Sequence, residues 1–124
     1  LVQLRKYGWM IERRRTLAAR YIERLKGVPG WVLPPMPDGA TFSHFPVRVP
    51  DRQAAVDHFA RHGVHVGEVV EYSVAHLPAY RRFAEGMELP NSLYCSQHMI
   101  NLPVHPQLTD QQCGRIIEIA RLIR

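Results

Sequence analysis

The sequence predicts an α+β fold, in which a small sheet of about three strands is packed against helices and follows a long N-terminal helix. Three observations favour this fold. Apolar residues recur at seven-residue intervals near the start, short alternating segments occupy the middle, and a well-capped amphipathic helix closes the chain. A length of 124 residues suits one domain with a modest hydrophobic core.

The first element is a single helix over residues 1–26 with one apolar stripe. The stripe consists of Leu4, Ile11, Ala18 and Leu25. At about 1.5 Å per residue this helix is about 40 Å long, which is more than a domain of this size can cover. We therefore expect part of it to pack against another domain or a second copy of the chain. Because the chain starts inside this helix at Leu1, we also expect it to be a piece of a longer polypeptide.

A proline-rich connector, residues 27–41, separates the long helix from a small C-terminal domain, residues 42–124. The domain opens with residues 42–49, which alternate well enough to form a strand. Pro46 cannot donate to a sheet ladder, so we expect this strand at an edge or at a bulge.

A helix, a second strand and a further short helix are predicted next. Asp51 has the side chain of a helix cap, and Gly63 ends the helix that it starts. The side chains expected to face inward are Val56, Phe59 and Ala60. Residues 64–71 have the apolar alternation of a second strand, and residues 77–86 are predicted to form a short helix that closes at Gly86.

The end of the chain carries the clearest local signals. A helical turn or two begins at Asn91, and residues 99–102 form a short strand that Pro103 ends. Thr109 and Gln112 have the spacing of a capping box, in which each side chain accepts a hydrogen bond from the other residue's amide. The helix that follows has one apolar face, formed by Cys113, Ile116, Ile117, Ala120 and Ile123.

Charge and composition restrict the class of partner. A net charge of +5 is compatible with nucleic-acid binding, but no nucleic-acid-reading motif accompanies it. Arginines 13–15 are mixed with Glu12 and Glu23, as on a solvated helix face. We therefore expect no nucleic-acid partner, with a free-standing basic binding module as an alternative. No apolar stretch approaches the roughly 20 residues that cross a membrane, so we expect a soluble cytoplasmic protein without a membrane partner.

Two sets of side chains invite a chemical interpretation. His58 and His62 are four residues apart on a predicted helix, and with His65 they could converge on a metal ion. No carboxylate or cysteine completes the set, so we interpret them as histidines at an exposed helix end and predict no metal site. Cys95 and His98 have the spacing of a thiolate–imidazole pair, but no third group orients the imidazole. Core packing is the favoured interpretation for that pair.

Four segments of the chain have a recognisable order. They are LVQLRKYGWMIERRRTLAARYIERL, FSHFPVRVPDRQAAVDHFARHGV, VVEYSVAHLPAY and INLPVHPQLTDQQCGRII. Together they resemble the C-terminal part of the DegT/StrS-type nucleotide-sugar aminotransferases, which are fold type I enzymes that use pyridoxal phosphate (PLP). The last segment is the most specific, since it is similar to the family's Leu-Pro-x-His-Pro-x-Leu-Thr turn. We assign His105 of that turn a backbone or packing role, because two prolines fix the chain around it.

The resemblance implies substrate-binding residues for a nucleotide-linked keto-sugar. The family's substrate-side segment carries a His-Tyr pair ahead of a second His. Tyr72 and His76 match this pattern, Glu71 stands where the family has the first His, and Tyr80 follows. A carboxylate at Glu71 changes the local field and hydrogen bonding, so the family's usual substrate does not follow from the motif.

The resemblance also implies PLP, held by a large domain that would precede Leu1. Lys6 and Lys26 flank the first helix and have no apolar segment to enclose an amine, so we predict neither covalent PLP nor a catalytic residue in this chain. The isolated chain is then expected to be inactive, and the complete enzyme to be a homodimer. A PLP-dependent sugar dehydratase and a non-catalytic regulatory relative are alternatives with the same architecture.

Overall fold

Helix α1, Val2–Leu25, confirms the long helix predicted at the start of the chain. The computed structural model describes residues 2–68 and 72–123. The second half of α1 is buried through Leu17, Ala18, Tyr21 and Leu25. The apolar stripe leaves the core toward the N-terminus, where the Leu4 side chain is 70% exposed and Trp9 is 58% exposed. One half of α1 therefore anchors the helix, and the other half presents apolar surface to solvent.

Strand β1, Phe45–Arg48, pairs antiparallel with strand β2, Met99–Leu102, and the described residues form this two-stranded sheet. Among the described residues the sheet has two strands, in place of the three or so that the sequence predicts. The predicted strand 64–71 contributes one isolated bridge, between Gly67 and Asn101, and its last three residues lie outside the described part. A Cβ on Gly67 would lie 3.3 Å from the Asn101 Cβ, so the bridge depends on close backbone approach. A single bridge fixes the position of this segment without extending the ladder.

The opposite edge of the sheet receives the proline-rich connector. The amide of Val32 donates to the Arg48 carbonyl at 3.0 Å, and the Arg48 amide donates back at 3.1 Å. Strand β1 begins three residues later than predicted. Phe42, the first residue of the predicted strand, has a φ of +50°, which is incompatible with extended backbone.

Helix α2, Arg52–Arg61, starts where the sequence predicts, since the Asp51 carboxylate accepts from the Ala54 amide at 2.9 Å. Its buried residues are Ala55 and Phe59. Phe59 was correctly expected to face inward, whereas Val56 is half-buried and Ala60 is exposed. The buried residues Ala55 and Phe59 are four positions apart, so the inward face is centred closer to Ala55 than the prediction placed it.

The segment before helix α3 has no α-helix. The short helix predicted over residues 77–86 is wrong, since this range contains a single 3₁₀ turn, Arg81–Phe83, and another 3₁₀ turn, Val74–His76, precedes it. Pro78 lies between the turns, where its missing amide prevents a continuous helix. Helix α3, Pro90–His98, begins within one residue of the predicted start.

Helix α4, Asp110–Arg121, has the predicted capping box. The Gln112 amide donates to Thr109 Oγ1 at 3.1 Å, and the Thr109 amide donates to Gln112 Oε1 at 2.9 Å. Four of the five residues predicted on its apolar face are buried, and Ile123 is half-buried. Ile119 is also buried, so the apolar face is wider than the sequence pattern indicates.

The hydrophobic core combines side chains from α1, the sheet, α2 and α4. Its largest fully buried members are Tyr21, Phe45, Phe59, Leu17, Leu25, Ile100 and Leu102. Burial of each of the aliphatic and phenyl side chains contributes about 1.5–3 kcal/mol. Among the helices of the described residues, none is both long and apolar enough to cross a membrane.

Candidate functional site

The candidate substrate-side segment is an exposed loop held at one end by a hydrogen bond between the buried Ser73 and the exposed Ser92. Tyr72 is 56% exposed and Tyr80 is 50% exposed, and His76 ends the first 3₁₀ turn with an exposed side chain. Ser73 is buried, and its Oγ lies 2.8 Å from the Oγ of Ser92 on α3. This hydroxyl pair attaches the loop to the helix behind it. Functional side chains are commonly displayed on loops supported in this way.

A cavity of about 590 Å³ opens beside this loop. It is lined by Ala75, His76, Arg81, Arg82, Ala84, Glu85, Met87 and Leu89. Among the predicted site residues, the cavity wall includes His76 and not Tyr72 or Tyr80. Glu71 lies outside the described residues, so its position relative to the cavity is not described.

Sequence reasoning missed the two arginines of this cavity. Arg81 and Arg82 directly follow Tyr80, and both side chains are exposed. The signal was present as two adjacent basic residues directly after the segment chosen for substrate binding.

The turn between β2 and α4 is fixed from outside by side chains of α1. The buried Tyr21 hydroxyl donates to the Pro103 carbonyl at 2.8 Å. Arg13 donates to the Leu108 carbonyl at 2.6 Å and to the Asp110 carboxylate at 2.8 Å. Arg20 is 3.1 Å from the same carboxylate. The turn therefore connects the long helix to the small sheet.

His105 is exposed at the surface of this turn. Its carbonyl accepts from the Leu108 amide at 3.0 Å, which closes the turn. This geometry is compatible with the predicted backbone role.

The electrostatics of the α1–α4 contact follow from burial and from ion pairing. Burial raises the pKa of Tyr21 well above its ordinary range, and the neighbouring Cys113 adds to that shift. Burial also raises the pKa of the Cys113 thiol. The hydrogen bond from Arg13 holds the pKa of Asp110 below its usual value, with further help from Arg20. Tyr21 and Cys113 are thus maintained in their neutral forms, and Asp110 in its charged form.

The histidines considered as metal ligands contact backbone carbonyls. His58 Nε2 lies 2.9 Å from the Ile119 oxygen, and His62 Nδ1 lies 2.8 Å from the His58 oxygen. In residues 2–68 and 72–123, no group of three His, Cys, Asp or Glu side chains is arranged to hold a metal ion.

The Cys95–His98 spacing does not form a catalytic pair in this structure. His98 Nδ1 lies 2.9 Å from the Pro50 carbonyl, and its ring stacks on Tyr94 at a centroid distance of 4.2 Å. Cys95 is half-buried, in contrast to the fully buried Cys113. His98 therefore links α3 to the end of β1.

This set of elements matches the C-terminal third of solved sugar aminotransferases. The chain belongs to the DegT/DnrJ/EryC1/StrS aminotransferase family, whose model matches residues 1–121. This finding confirms the resemblance seen in the sequence. Among curated proteins, the chain is 33% identical over 118 residues to the dTDP-4-dehydro-2,3,6-trideoxy-D-glucose 4-aminotransferase of Saccharopolyspora spinosa. The match covers 94% of this chain and 31% of that protein.

Two solved aminotransferases share the fold closely. DesV of S. venezuelae, crystallised with a ketimine intermediate, superposes with a TM-score of 0.90 at 31% identity, covering 97% of this chain and 33% of DesV. TlmJ from Streptoalloteichus hindustanus gives a TM-score of 0.83 at 30% identity, with the same coverage of 97% and 33%. The chain therefore spans about a third of the length of these relatives, and it corresponds to their C-terminal third.

Proposed function

We propose that this chain is the C-terminal part of an enzyme that transfers an amino group to a nucleotide-linked keto-sugar. The observation that carries the proposal is the family match over residues 1–121. The Saccharopolyspora spinosa relative supports the substrate class, since its name specifies a dTDP-linked keto-sugar.

The residues of this chain do not by themselves fit covalently bound PLP. Lys6 and Lys26 are both exposed, and 20 residues of helix separate them by about 30 Å. A Schiff-base lysine requires an enclosed site that shields and activates its amine, and neither position offers one. We assign the cofactor to a large domain outside this sequence. When bound, PLP supplies the electron sink for transamination.

The contribution of this chain to the reaction is to orient the sugar. Tyr72 presents a ring that can lie against a sugar or base and a hydroxyl that can donate, and its side chain is free to do so because it is exposed. His76 brings an imidazole to the cavity wall. Glu71 and Tyr80 complete the proposed substrate wall, with Glu71 adjusting which sugar is accepted.

The substrate wall is tested in the full-length enzyme, which includes the large domain and bound PLP. The assay supplies an amino donor and a dTDP-linked 4-keto-sugar. Tyr72→Phe and His76→Ala are each expected to lower kcat/KM for the sugar by about tenfold or more, which corresponds to about 1.4 kcal/mol of lost transition-state binding. PLP absorbance and the half-reaction with the amino donor should not change. His44→Ala is the matched control, because His44 is exposed, lies outside the cavity, and hydrogen-bonds through its ring to the neighbouring Ser43.

Several outcomes of this assay contradict the proposal. Parent rates in both variants, or loss of PLP from both, show that the loop is structural. A deoxygenated product without a new amine identifies a sugar dehydratase. Absence of any turnover with a panel of nucleotide-linked keto-sugars favours a non-catalytic relative.

Cofactor placement has an independent test. After incubation of this chain with PLP and borohydride, peptide mapping should find no stoichiometric adduct on Lys6 or Lys26. An adduct on either lysine contradicts the assignment of the Schiff base to another domain.

A homodimer and a cytoplasmic location belong to the same proposal. The exposed apolar half of α1, with Leu4, Tyr7 and Trp9, supports association with further protein surface. Sedimentation of the complete chain and cell fractionation measure these two properties directly.

A further inference from the structure

The cavity beside the candidate loop is lined by two arginines, and orientation of an uncharged sugar does not require this positive charge. Arg81 and Arg82 both line it, together with His76 and one acidic residue, Glu85. In the described part of the chain, neither arginine forms a salt bridge or a side-chain hydrogen bond, although Arg82 lies over the Phe83 ring at 4.6 Å. Two guanidinium groups that share one cavity without protein partners are suited to an anionic ligand.

Backbone geometry places these two neighbouring residues on the same cavity. The Phe83 amide donates to the Tyr80 carbonyl at 2.9 Å, and the Ala84 amide donates to the Arg81 carbonyl at 3.1 Å. These bonds close the 3₁₀ turn Arg81–Phe83. A β-strand would direct successive side chains to opposite faces, about 180° apart, whereas a 3₁₀ turn separates them by about 120°, and both arginines line the cavity.

The size of the cavity fits a small ligand. Its volume of about 590 Å³ lies within the range of roughly 300–1,000 Å³ that is usual for small-molecule sites. Met87 and Leu89 provide apolar wall, and the arginines provide charge. The cavity is therefore suited to a ligand with both an anionic and a less polar part.

We propose that Arg81 and Arg82 bind the diphosphate of the nucleotide-linked substrate, while His76 faces the sugar side. This inference rests on the proposed function, which it extends from the sugar to the nucleotide. Guanidinium groups match phosphate oxygens with two parallel hydrogen bonds, and such charge-assisted bonds are about twice as strong as neutral ones. Glu85 repels the same anion and limits the affinity.

The test measures by calorimetry the affinity of the full-length, PLP-loaded enzyme for dTDP and for thymidine. Arg81→Gln and Arg82→Gln should each raise the Kd for dTDP about tenfold and leave the Kd for thymidine unchanged. Arg81→Lys should retain part of the affinity, because it keeps the charge and loses the planar fork. Glu85→Gln should lower the Kd for dTDP. Arg61→Gln is the control, since it removes one exposed positive charge from α2, outside this cavity.

The outcomes separate this inference from the proposed function. If the arginine variants transaminate the sugar with the parent KM and bind dTDP with the parent Kd, the diphosphate site is wrong and the enzyme assignment stands. If no keto-sugar is turned over but dTDP affinity depends on Arg81 and Arg82, the anion site is right and the enzyme assignment is wrong. Equal weakening by Arg61→Gln attributes the effect to overall charge and overturns the site. Unchanged melting temperatures in the single variants exclude unfolding as the cause of weaker binding.

Discussion

Removal of one hydroxyl tests how the long helix is attached to the rest of the chain. Tyr21→Phe keeps the ring, which packs 5.1 Å from Phe45, and removes the donor to the Pro103 carbonyl. The carbonyl is then left without this partner in a partly buried site. A lost hydrogen bond of this kind costs about 1–2 kcal/mol.

The corresponding change in melting temperature follows from chain length. An unfolding entropy of about 2.1 cal/mol/K per residue gives roughly 260 cal/mol/K for 124 residues. A loss of 1–2 kcal/mol then lowers the Tm by about 4–8 °C. Circular dichroism during heating measures this shift at pH 7. Tyr94→Phe is the control, because Tyr94 is exposed on α3 and its hydroxyl has no hydrogen bond among the described residues.

The parent protein and the Tyr21→Phe variant should respond differently to alkaline pH. The pKa of Tyr21 is raised in the folded state, so above about pH 10 the unfolded chain releases a proton that the folded chain retains. The stabilisation from Tyr21 is thus complete below the unfolded pKa and is lost as the pH rises. The Tm difference between the parent and Tyr21→Phe should narrow above pH 10. A Tyr21→Phe variant that melts with the parent at pH 7, or a Tyr94→Phe variant that is equally destabilised, refutes the role given to this hydroxyl.

Three further changes probe the contacts of α1 and α4. Asp110→Asn should destabilise the chain at pH 7, and this destabilisation should shrink as the pH falls below the ordinary carboxyl pKa of about 3.9, because the lowered pKa of Asp110 confers stability that is lost on acidification. Equal destabilisation across a urea-unfolding pH series contradicts this. Thr109→Ala should cost about 1 kcal/mol in urea unfolding through loss of the helix cap, whereas Thr109→Ser should restore most of it. Trp9→Arg should weaken self-association through the exposed half of α1 in sedimentation velocity, and a parent chain that is monomeric at all concentrations counts against that interface.

Elements governed by local chemistry were predictable from the sequence. Helix α4 is an example, because Thr109 and Gln112 specify its start within four residues and the apolar period specifies its buried face. Helix α1 was predictable for the same reason, since its stripe repeats over more than six turns.

Strand pairing was less predictable, because alternation describes one segment and not its neighbour. The segment 64–71 has the pattern of a strand, yet its described residues make a single bridge at Gly67. Its bridge partner is Asn101, a residue 34 positions further along the chain. No local pattern reports whether such a distant edge is available for a longer ladder.

The resemblance selected His76, which lines the cavity, and did not select Arg81 or Arg82, which line it as well. Resemblance points to positions where the family has a motif, and these arginines lie just beyond the motif. Their shared cavity depends on the 3₁₀ turn that Pro78 and the following backbone hydrogen bonds permit. The sequence contained the charges, but only the backbone conformation brings them to one space.

The turn before α4 combines local signals that the sequence shows with distant contacts that it does not show. Its prolines and cap were evident in the sequence, but its purpose depends on Tyr21 and Arg13, which are 82 and 95 residues away from the atoms they contact. Because α1 binds the carbonyls of Pro103 and Leu108, a displacement of the helix would break bonds at both ends of the turn. Helix α1 and the turn should therefore move as one unit. The exposed loop 72–89 is attached by the Ser73–Ser92 contact to α3 rather than to α1, so it can adjust without displacing that unit.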